Sequence, residues 1–392
     1  MKLSKEKLTT ALFLFCMVGY LKPSFISEIS IWNNFFNIVR VISLIIVLIY
    51  TFKYKFHLSI PAKMIIVYFI YYMLITAYRR GDTTQAAIGA ITIIGEVCLF
   101  ELIIKKDFIW FLKVLCTVLS VYVIINLMTI FIVPQGFGVT DNKTPVYFLG
   151  IHNRFVFWML PLICYMCLYD YLTKERLTWK VYAIYSICMF TLIYKGAVGA
   201  MLGLGSFIFF FTFLNKKERK FVNYNIYLIV YYSLWIAVTF GGLLVFLQNI
   251  IYVIFDKSGS VLARLSLWNR AIKYLSVDSN HLLLGYGLEV SKVIQKKFWY
   301  VHVHNNLLNV AYQTGVVGVV LYTLPFLSVR KKLMKYNSYP VARVIAFAIF
   351  AFLFMLLADT YDLYGHFYTL LVLAGNIPVI LEKVKGRNEF EK

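Results

Sequence analysis

The residues with the clearest chemical capacity lie together in the stretch HVHNN, from His302 to Asn306, at the start of an apolar segment. Imidazole changes its charge near neutral pH, so both histidines are candidates for proton transfer, and His304 directly precedes the predicted helix. The first backbone N–H groups of that helix, from residues 305–308, are expected to form an anion site. No metal site is expected, because metal ions normally need three or four ligands and no carboxylate or cysteine lies nearby in the sequence.

Candidate substrate-binding residues precede this cluster in the same long polar segment. Apolar residues recur there at intervals of three and four, at Leu262, Leu265, Trp268, Ile272 and Leu275. This spacing predicts an amphipathic helix lying at the membrane interface. Arg264 lies one turn before Trp268 and is a candidate for binding lipid headgroups or a substrate phosphate. Farther along, Gly285 and Gly287 allow a tight turn or a close approach by a substrate.

Other charged residues lie at or within apolar segments. Arg154 opens one such segment, in GIHNRFVFW, and Lys195 lies between two of them, in IYKGAVG. A buried cation is costly without a partner, so Lys195 either binds a substrate anion or extends its amino group to the membrane surface. Glu96 lies inside another apolar segment and is expected to be neutral there or paired with Arg40.

The composition is that of a membrane protein. Of the 392 residues, 61% are hydrophobic and 15% are charged, and the mean hydropathy is +0.75. Soluble domains are about half apolar and about a quarter charged. The formal net charge of +21 does not indicate nucleic-acid binding, because the basic residues lie mostly in short stretches between apolar segments. All six cysteines fall inside apolar segments, so no disulfide is expected.

Hydropathy predicts an all-α polytopic membrane protein, with residues 1–392 as one transmembrane domain of about twelve helices, since each crossing takes about 20 apolar residues. The connections on one side hold about 22 lysines and arginines against about four on the other, which places both termini in the cytoplasm. The long connection 248–305 is then an extracytoplasmic loop, and loops of this length are usually functional. The predicted spans are 9–21, 34–52, 61–78, 85–104, 108–133, 153–172, 181–194, 196–214, 225–247, 306–328, 341–358 and 366–381.

The order of motifs from Ser258 to Gly318 resembles the O-antigen polymerase and ligase family, the Wzy-type enzymes. In that family an arginine and a tryptophan one turn later precede a glycine-containing turn, and His-Asn then opens a helix closed by GxxG. The family also has a serine-arginine-glycine stretch at the outer end of an earlier helix. Lys195 stands where that arginine is expected, which weakens bidentate phosphate binding at the position. The matching residues are Arg264, Trp268, Gly285, Gly287, His304, Asn305, Gly315 and Gly318.

The resemblance implies an enzyme of the bacterial plasma membrane with an extracytoplasmic active site. Its substrate would be an oligosaccharide joined by diphosphate to a polyprenyl lipid in the bilayer, and the glycan would be transferred to a sugar hydroxyl. The leaving group carries the energy, so no cofactor is expected, and a flippase and a chain-length regulator are the implied partners. His304 would act as the general base. The implied substrate-binding residues are Arg264, Lys195, Trp268, Gly285, Gly287 and Asn305. Arg154 is a further candidate for substrate binding, because it opens a span on the same outer side.

Three functions stay open at this point. The preferred one is a polymerase that joins lipid-linked repeat units into a capsule, an exopolysaccharide or an O-antigen chain. A ligase would use the same chemistry to move a finished polymer onto another acceptor. A flippase or transporter would also have about twelve spans, but transporters often show repeated halves. No such repeat is visible in this sequence, and the loop 248–305 breaks any symmetry between halves.

Overall fold

In the residues that it describes, the computed structural model is an all-α bundle with one short β-hairpin. The first ten residues of the predicted loop 248–305 lie outside the described residues, as does the end of the predicted span 225–247. The residues that the structure describes are 5–54, 56–140, 144–214, 223–240, 258–299, 302–357, 359–361, 363 and 365–390.

The helices follow the predicted apolar segments closely. Those before the long polar segment are α1 (Lys5–Tyr20), α2 (Ser30–Lys53), α3 (Ile60–Tyr78), α4 (Thr83–Lys105), α5 (Phe108–Ile132), α6 (Val156–Lys174), α7 (Trp179–Tyr194), α8 (Val198–Phe209) and α9 (Tyr224–Thr239). Those that follow are α10 (Ser258–Leu275), α11 (Ser279–Leu284), α12 (Ser291–Phe298), α13 (Asn306–Lys335), α14 (Pro340–Met355), α15 (His366–Gly375) and α16 (Ile377–Phe390). A π-helical turn, Phe210–Leu214, continues α8, and 3₁₀ turns cover Ser24–Glu28 and His152–Arg154. The strands β1 (Gly138–Val139) and β2 (Pro145–Val146) pair antiparallel.

Six segments of the described chain are long and apolar enough to cross a membrane: α2, α3, α4, α5, the segment His152–Lys174 that contains α6, and α13. Six more apolar helices are shorter, so the number of twelve crossings stays a prediction. The predicted span 366–381 differs most from the structure. It consists of α15 and α16, which are separated at Asn376.

The helices differ in how deeply they lie in the bundle. In the most apolar stretch of α4, 78% of the residues are buried, whereas in that of α2 only 22% are buried. Helix α2 therefore lies at the periphery, and its exposed isoleucines and phenylalanines face outward, as expected for a surface that contacts lipid. Helices α6 and α14 are buried along most of their length and form the centre of the main apolar core.

The two ends of the bundle have different polar contacts. At one end, the Lys383 ammonium donates to the carbonyl of Lys106 at 2.6 Å, and Lys174 pairs with Asp170 at 3.1 Å. At the other end lie the hairpin, the two 3₁₀ turns and helices α10–α12. There the Asp82 N–H donates to the Leu288 carbonyl at 2.6 Å, which attaches the long polar segment to the start of α4. The polar cluster that opens α13 lies at this second end.

Helix α13 is broken near its first third. Gly315 has φ 65° and ψ −171°, a conformation that only glycine adopts readily. The break frees backbone carbonyls, and those of Tyr312 and Gln313 accept hydrogen bonds from the N–H groups of Tyr286 and Gly287, at 2.9 and 2.8 Å. The turn after α11 is thus hydrogen-bonded to the broken helix.

Candidate active site

A cavity of about 410 Å³ lies at this end of the bundle, between the opening of α13, the 3₁₀ turns and helices α2–α4 and α15. Its walls combine aromatic rings with charged and titratable side chains, which suits a ligand with both polar and apolar parts. The basic, acidic and imidazole side chains that line it are Lys22, Arg40, Arg154, Glu289, His302 and His366.

His304 lies next to this cavity in a strained position. Its φ is 53°, in the left-handed region that residues other than glycine rarely adopt, and such strain concentrates at functional sites. Its ring packs edge-on against His302, with ring centroids 4.1 Å apart, and His302 lines the cavity itself. His304 keeps 23% of its side chain exposed, so solvent or a substrate can reach the imidazole.

Asp359 supplies a carboxylate beside His304. The distance between Oδ1 and the imidazole Nδ1 is 3.7 Å, and the side chain of Asp359 is only 16% exposed. Burial alone would raise the pKa of this carboxyl, but the contact with His304 and the charge of His302 outweigh burial and lower the pKa below its ordinary value. An ionised carboxylate beside a histidine can orient the ring and stabilise the imidazolium that forms when the ring takes a proton.

Asn305 fixes the start of α13 directly after His304. Its Oδ1 accepts from the Leu308 N–H at 3.1 Å and from the Trp235 indole at 2.8 Å, and its amide donates to Thr239 at 3.0 Å. The side chain is fully buried. Asn305 therefore caps the helix and joins it to α9, while a contact with substrate stays a prediction.

Two of the four N–H groups that were expected to form an anion site at the start of α13 already have partners. The Asn306 N–H donates to the Leu356 carbonyl at 3.1 Å, and the Leu308 N–H is taken by the Asn305 cap. The Asn309 N–H already belongs to the helix, since it donates to the Asn305 carbonyl at 2.8 Å. The protein itself satisfies the N–H groups of Asn306 and Leu308, and anion binding by the helix start stays a prediction.

Trp268 holds the segment that contains His304 in place through a hydrogen bond. Its indole is fully buried and donates to the carbonyl of Val303 at 2.9 Å, one residue before His304. Helix α10 packs here against α13, and Trp268 and Leu275 of its apolar stripe are buried in a small core with Leu308 and Tyr312. The structure thus shows Trp268 positioning the histidine segment, and its contact with substrate stays a prediction.

The two predicted glycines approach the backbone of the protein very closely. A Cβ on Gly285 would lie 2.5 Å from the carbonyl carbon of Gln313, and one on Gly287 would lie 2.9 Å from the Cα of Thr76. Both have positive φ, 71° and 72°. Of the two roles expected from the sequence, the structure shows the tight turn, and an approach by substrate stays a prediction.

The three predicted cations lie in different places. Arg154 lines the cavity. Lys195, at the end of α7, donates to the Tyr147 hydroxyl at 2.6 Å and lies over the ring of that tyrosine. Arg264 is half-buried on α10. Neither Lys195 nor Arg264 is among the described residues that line the cavity, so their contact with a substrate diphosphate stays a prediction.

The sequence did not indicate two of the polar pairs found here. Asp359 lies 55 residues after His304, and only the fold brings the two together. Glu96, expected to be neutral or paired with Arg40, instead contacts His366, with 2.7 Å between Oε1 and Nδ1. This buried pair lies against the ring of Trp158, 4.4 Å from that of His366, and closes one wall of the cavity.

One group of side chains has the composition of a metal site. In the described part of the chain, the ligand atoms of His302, His304 and Asp359 all lie within 4.8 Å of one another. Two imidazoles and a carboxylate form a donor set that transition metals accept. The neighbours of the two histidines along the chain include no carboxylate, but the fold brings Asp359 to them. That the site works without a metal stays a prediction.

Comparison with known proteins adds one result. Residues 181–323 match a protein family model described as O-antigen ligase. The match includes His304, Asn305, Arg264, Trp268 and Lys195, and it leaves out Arg154 and Asp359. None of the curated proteins matches the chain. Together with the apolar helices, the match supports a membrane protein that processes lipid-linked glycans.

Proposed function

We propose that this protein is a polysaccharide polymerase of the bacterial plasma membrane. It transfers a glycan from a polyprenyl diphosphate to a sugar hydroxyl of another lipid-linked repeat unit. The observation that carries the proposal is the pairing of His304 with an ionised Asp359 beside a polar, cation-lined cavity. The match of residues 181–323 to the O-antigen ligase family supports the same chemistry.

The reaction requires one proton transfer and one displacement. His304 takes the proton of the acceptor hydroxyl, whose oxygen then attacks the anomeric carbon of the donor glycan. The bond from that carbon to the diphosphate oxygen breaks, and the lipid diphosphate leaves with the electron pair. Asp359 stabilises the imidazolium, and cations near the diphosphate stabilise the developing negative charge. No nucleotide or metal enters these steps.

The three predicted cations are proposed to bind the negatively charged diphosphate. Arg264 and Lys195 are proposed to bind the leaving diphosphate, as the family resemblance implies, and Arg154 is proposed to bind it from the cavity wall. Asn305 and Trp268 hold the histidine segment in place. The proposed active site faces the extracytoplasmic side, so the prenyl tail stays in lipid while the sugars stay in water.

A ligase is the second candidate, and the description of the matched family favours it. A ligase uses the same base and the same leaving group but moves a finished polymer onto a different acceptor. The residues of the site serve both reactions equally, so the acceptor is what separates the two functions. A flippase, the third possibility, needs no general base.

Deletion of the gene in a bacterium that makes the glycan separates the three. Loss of a polymerase leaves single repeat units attached to the surface acceptor, which is the expected result. Loss of a ligase leaves long polymer on the polyprenyl diphosphate. Loss of a flippase leaves single lipid-linked repeats inside the cell and no surface glycan. Either of the last two results would contradict the proposed polymerase.

A further inference from the structure

His302, His304 and Asp359 place three possible metal ligands at the edge of the cavity. Their ligand atoms all lie within 4.8 Å of one another, and the distance from His304 Nδ1 to Asp359 Oδ1 is 3.7 Å. Two ligand atoms of a tetrahedral zinc ion lie about 3.3 Å apart, because each zinc–nitrogen or zinc–oxygen bond measures about 2.0–2.1 Å. Small rotations of the three side chains would therefore bring these atoms to coordination distance.

Hydrogen bonds hold the segments that carry these side chains. Val303, which separates the two histidines, donates its N–H to Asn309 Oδ1 at 3.4 Å, and its carbonyl accepts from the Trp268 indole at 2.9 Å. The Oδ1 atom of Asp359 accepts from the Thr360 N–H at 2.8 Å. Hydrogen bonds that orient the ligands of a metal site raise its affinity for the ion, so this cluster is partly organised for metal binding.

The donor set indicates which ions the cluster would bind. Zn²⁺, Co²⁺ and Ni²⁺ accept two imidazoles and a carboxylate, whereas Mg²⁺ prefers oxygen ligands and keeps several waters. Although burial raises the pKa of Asp359, its interactions with the two histidines outweigh burial and keep the carboxylate ionised at neutral pH. An ion can reach the cluster through the cavity, because His302 lines the cavity and the side chain of His304 is partly exposed.

We propose that Zn²⁺, or a transition-metal ion of similar chemistry, binds His302, His304 and Asp359 and thereby inhibits glycan transfer. In a neutral imidazole one nitrogen offers a lone pair and the other carries a proton. A metal ion that takes this lone pair, through either nitrogen, leaves His304 unable to accept the proton of the acceptor hydroxyl. The inhibition rests on the proposed function, in which His304 is the base, whereas the binding of the ion does not.

His302 allows inhibition to be separated from catalysis, because it has no part in the proposed transfer of the glycan. Without it, the cluster keeps one imidazole and one carboxylate, fewer than the three or four ligands that a zinc site normally needs. A pair of that composition exists elsewhere in the protein, where His281 Nδ1 lies 2.6 Å from Asp278 Oδ2 at the surface. His281 is therefore a suitable control position.

Titration calorimetry of the purified full-length protein with Zn²⁺, in the absence of a polyhistidine tag, tests the metal site. His302→Gln and Asp359→Asn should each weaken zinc binding at least about tenfold, since loss of an outer hydrogen-bond partner alone costs about 10–100-fold. His281→Gln is the matched control and should bind Zn²⁺ as the wild type does. Mg²⁺ should not compete with Zn²⁺. Unchanged zinc affinity in His302→Gln would overturn the inference.

Glycan transfer from a polyprenyl-diphosphate repeat unit tests the inhibition. Saturating Zn²⁺ should slow the wild type by the factor expected for loss of the base, about 10²–10⁴-fold, and a chelator should restore the rate. His302→Gln should make long chains with or without Zn²⁺, which would show that the ion does not act by binding the substrate. Equal inhibition of the wild type and His302→Gln, or faster transfer with Zn²⁺, would overturn the inference. Zinc binding that depends on His302 in a protein that transfers no glycan would uphold the metal site and contradict the proposed function instead.

Discussion

At the scale of single residues, the proposed chemistry rests on His304 and Asp359. A histidine with φ 53° is held in that conformation by its surroundings, here the Trp268 bond to the preceding carbonyl and the Asn305 cap that follows. The His304 ring then lies 3.7 Å from the carboxylate of Asp359. The interaction between the two side chains should therefore affect both the activity and the stability of the protein.

Asp359→Asn should lower both activity and stability near neutral pH. The interactions with His304 and His302 hold the pKa of Asp359 below its ordinary value, which is about 3.9. Its contribution of about 1 kcal/mol is therefore fully present above that pH and is lost as the pH falls through the lower pKa of the folded protein. Thermal unfolding in detergent at several pH values measures the difference. A difference between wild type and variant that stays constant down to pH about 2 would contradict this account.

The proposed diphosphate cations give a prediction on side-chain geometry. Arg264→Lys should be nearly as damaging as Arg264→Ala, because a forked guanidinium can bind two phosphate oxygens and an ammonium cannot. Lys195→Arg should keep activity, since it restores the arginine of the family and can still donate to the Tyr147 hydroxyl. The measurement is glycan transfer per amount of membrane-inserted protein. Loss of activity in Lys195→Arg at normal protein levels would remove Lys195 from the proposed diphosphate site.

Residue types and their order were enough to select His304, but contacts across the fold were not predictable. The hydropathy pattern places Asp359 in a short polar connection between helices but does not predict its contact with His304. It also does not predict which residue contacts Glu96. Whether Glu96 meets Arg40 or His366 depends on which faces of α4, α2 and α15 pack together. That packing is decided by side-chain shape, which a hydropathy pattern does not describe.

At the scale of elements, the turn after α11 and the break in α13 form one unit. Gly285 and Gly315 both have φ near +70° and ψ near 180°, and each lies against the backbone of the other's element. The sequence predicted the tight turn from its glycines. It did not predict that the GxxG of α13 breaks the helix to receive that turn.

Alanine substitution tests this unit. Gly285→Ala and Gly315→Ala should each destabilise the protein by about 1–3 kcal/mol from backbone strain alone, and more from the close contacts. Gly205→Ala is the matched control, because a Cβ there meets nothing within 4 Å and the residue lies inside α8. Thermal stability and glycan transfer should both fall in the first two variants only. Equal stability of all three variants would show that the turn does not depend on these glycines.

At the scale of the whole molecule, the bias of basic residues predicts the orientation in the membrane. The contacts of Lys174 and Lys383 lie at the end of the bundle opposite to the cavity, which agrees with a cavity on the extracytoplasmic side. A cysteine placed at Asn280 should react with a membrane-impermeant reagent in intact cells, and one at Lys174 should react only after the cells are opened. The reverse pattern would place the site in the cytoplasm.

Hydropathy located the helices of the whole molecule, because each apolar segment must satisfy its own backbone in lipid. It predicted that the first and seventh helices are short, but it did not predict the early end of α15 at Gly375. The cavity was also beyond prediction, since it is formed by the ends of helices that are distant in sequence. Lys22 and Arg40 meet there through the packing of α1 against α2.

The most direct test of the central claim is polymerisation by purified protein from a synthetic polyprenyl-diphosphate repeat unit, with no nucleotide and with a chelator present. The wild type should produce a ladder of products. His304→Ala should reduce the rate by about 10²–10⁴-fold, and His302→Ala should still make long chains. Long polymer from His304→Ala would contradict the assigned base. Activity that is lost with the chelator and restored by a divalent ion would instead assign His302, His304 and Asp359 to a metal.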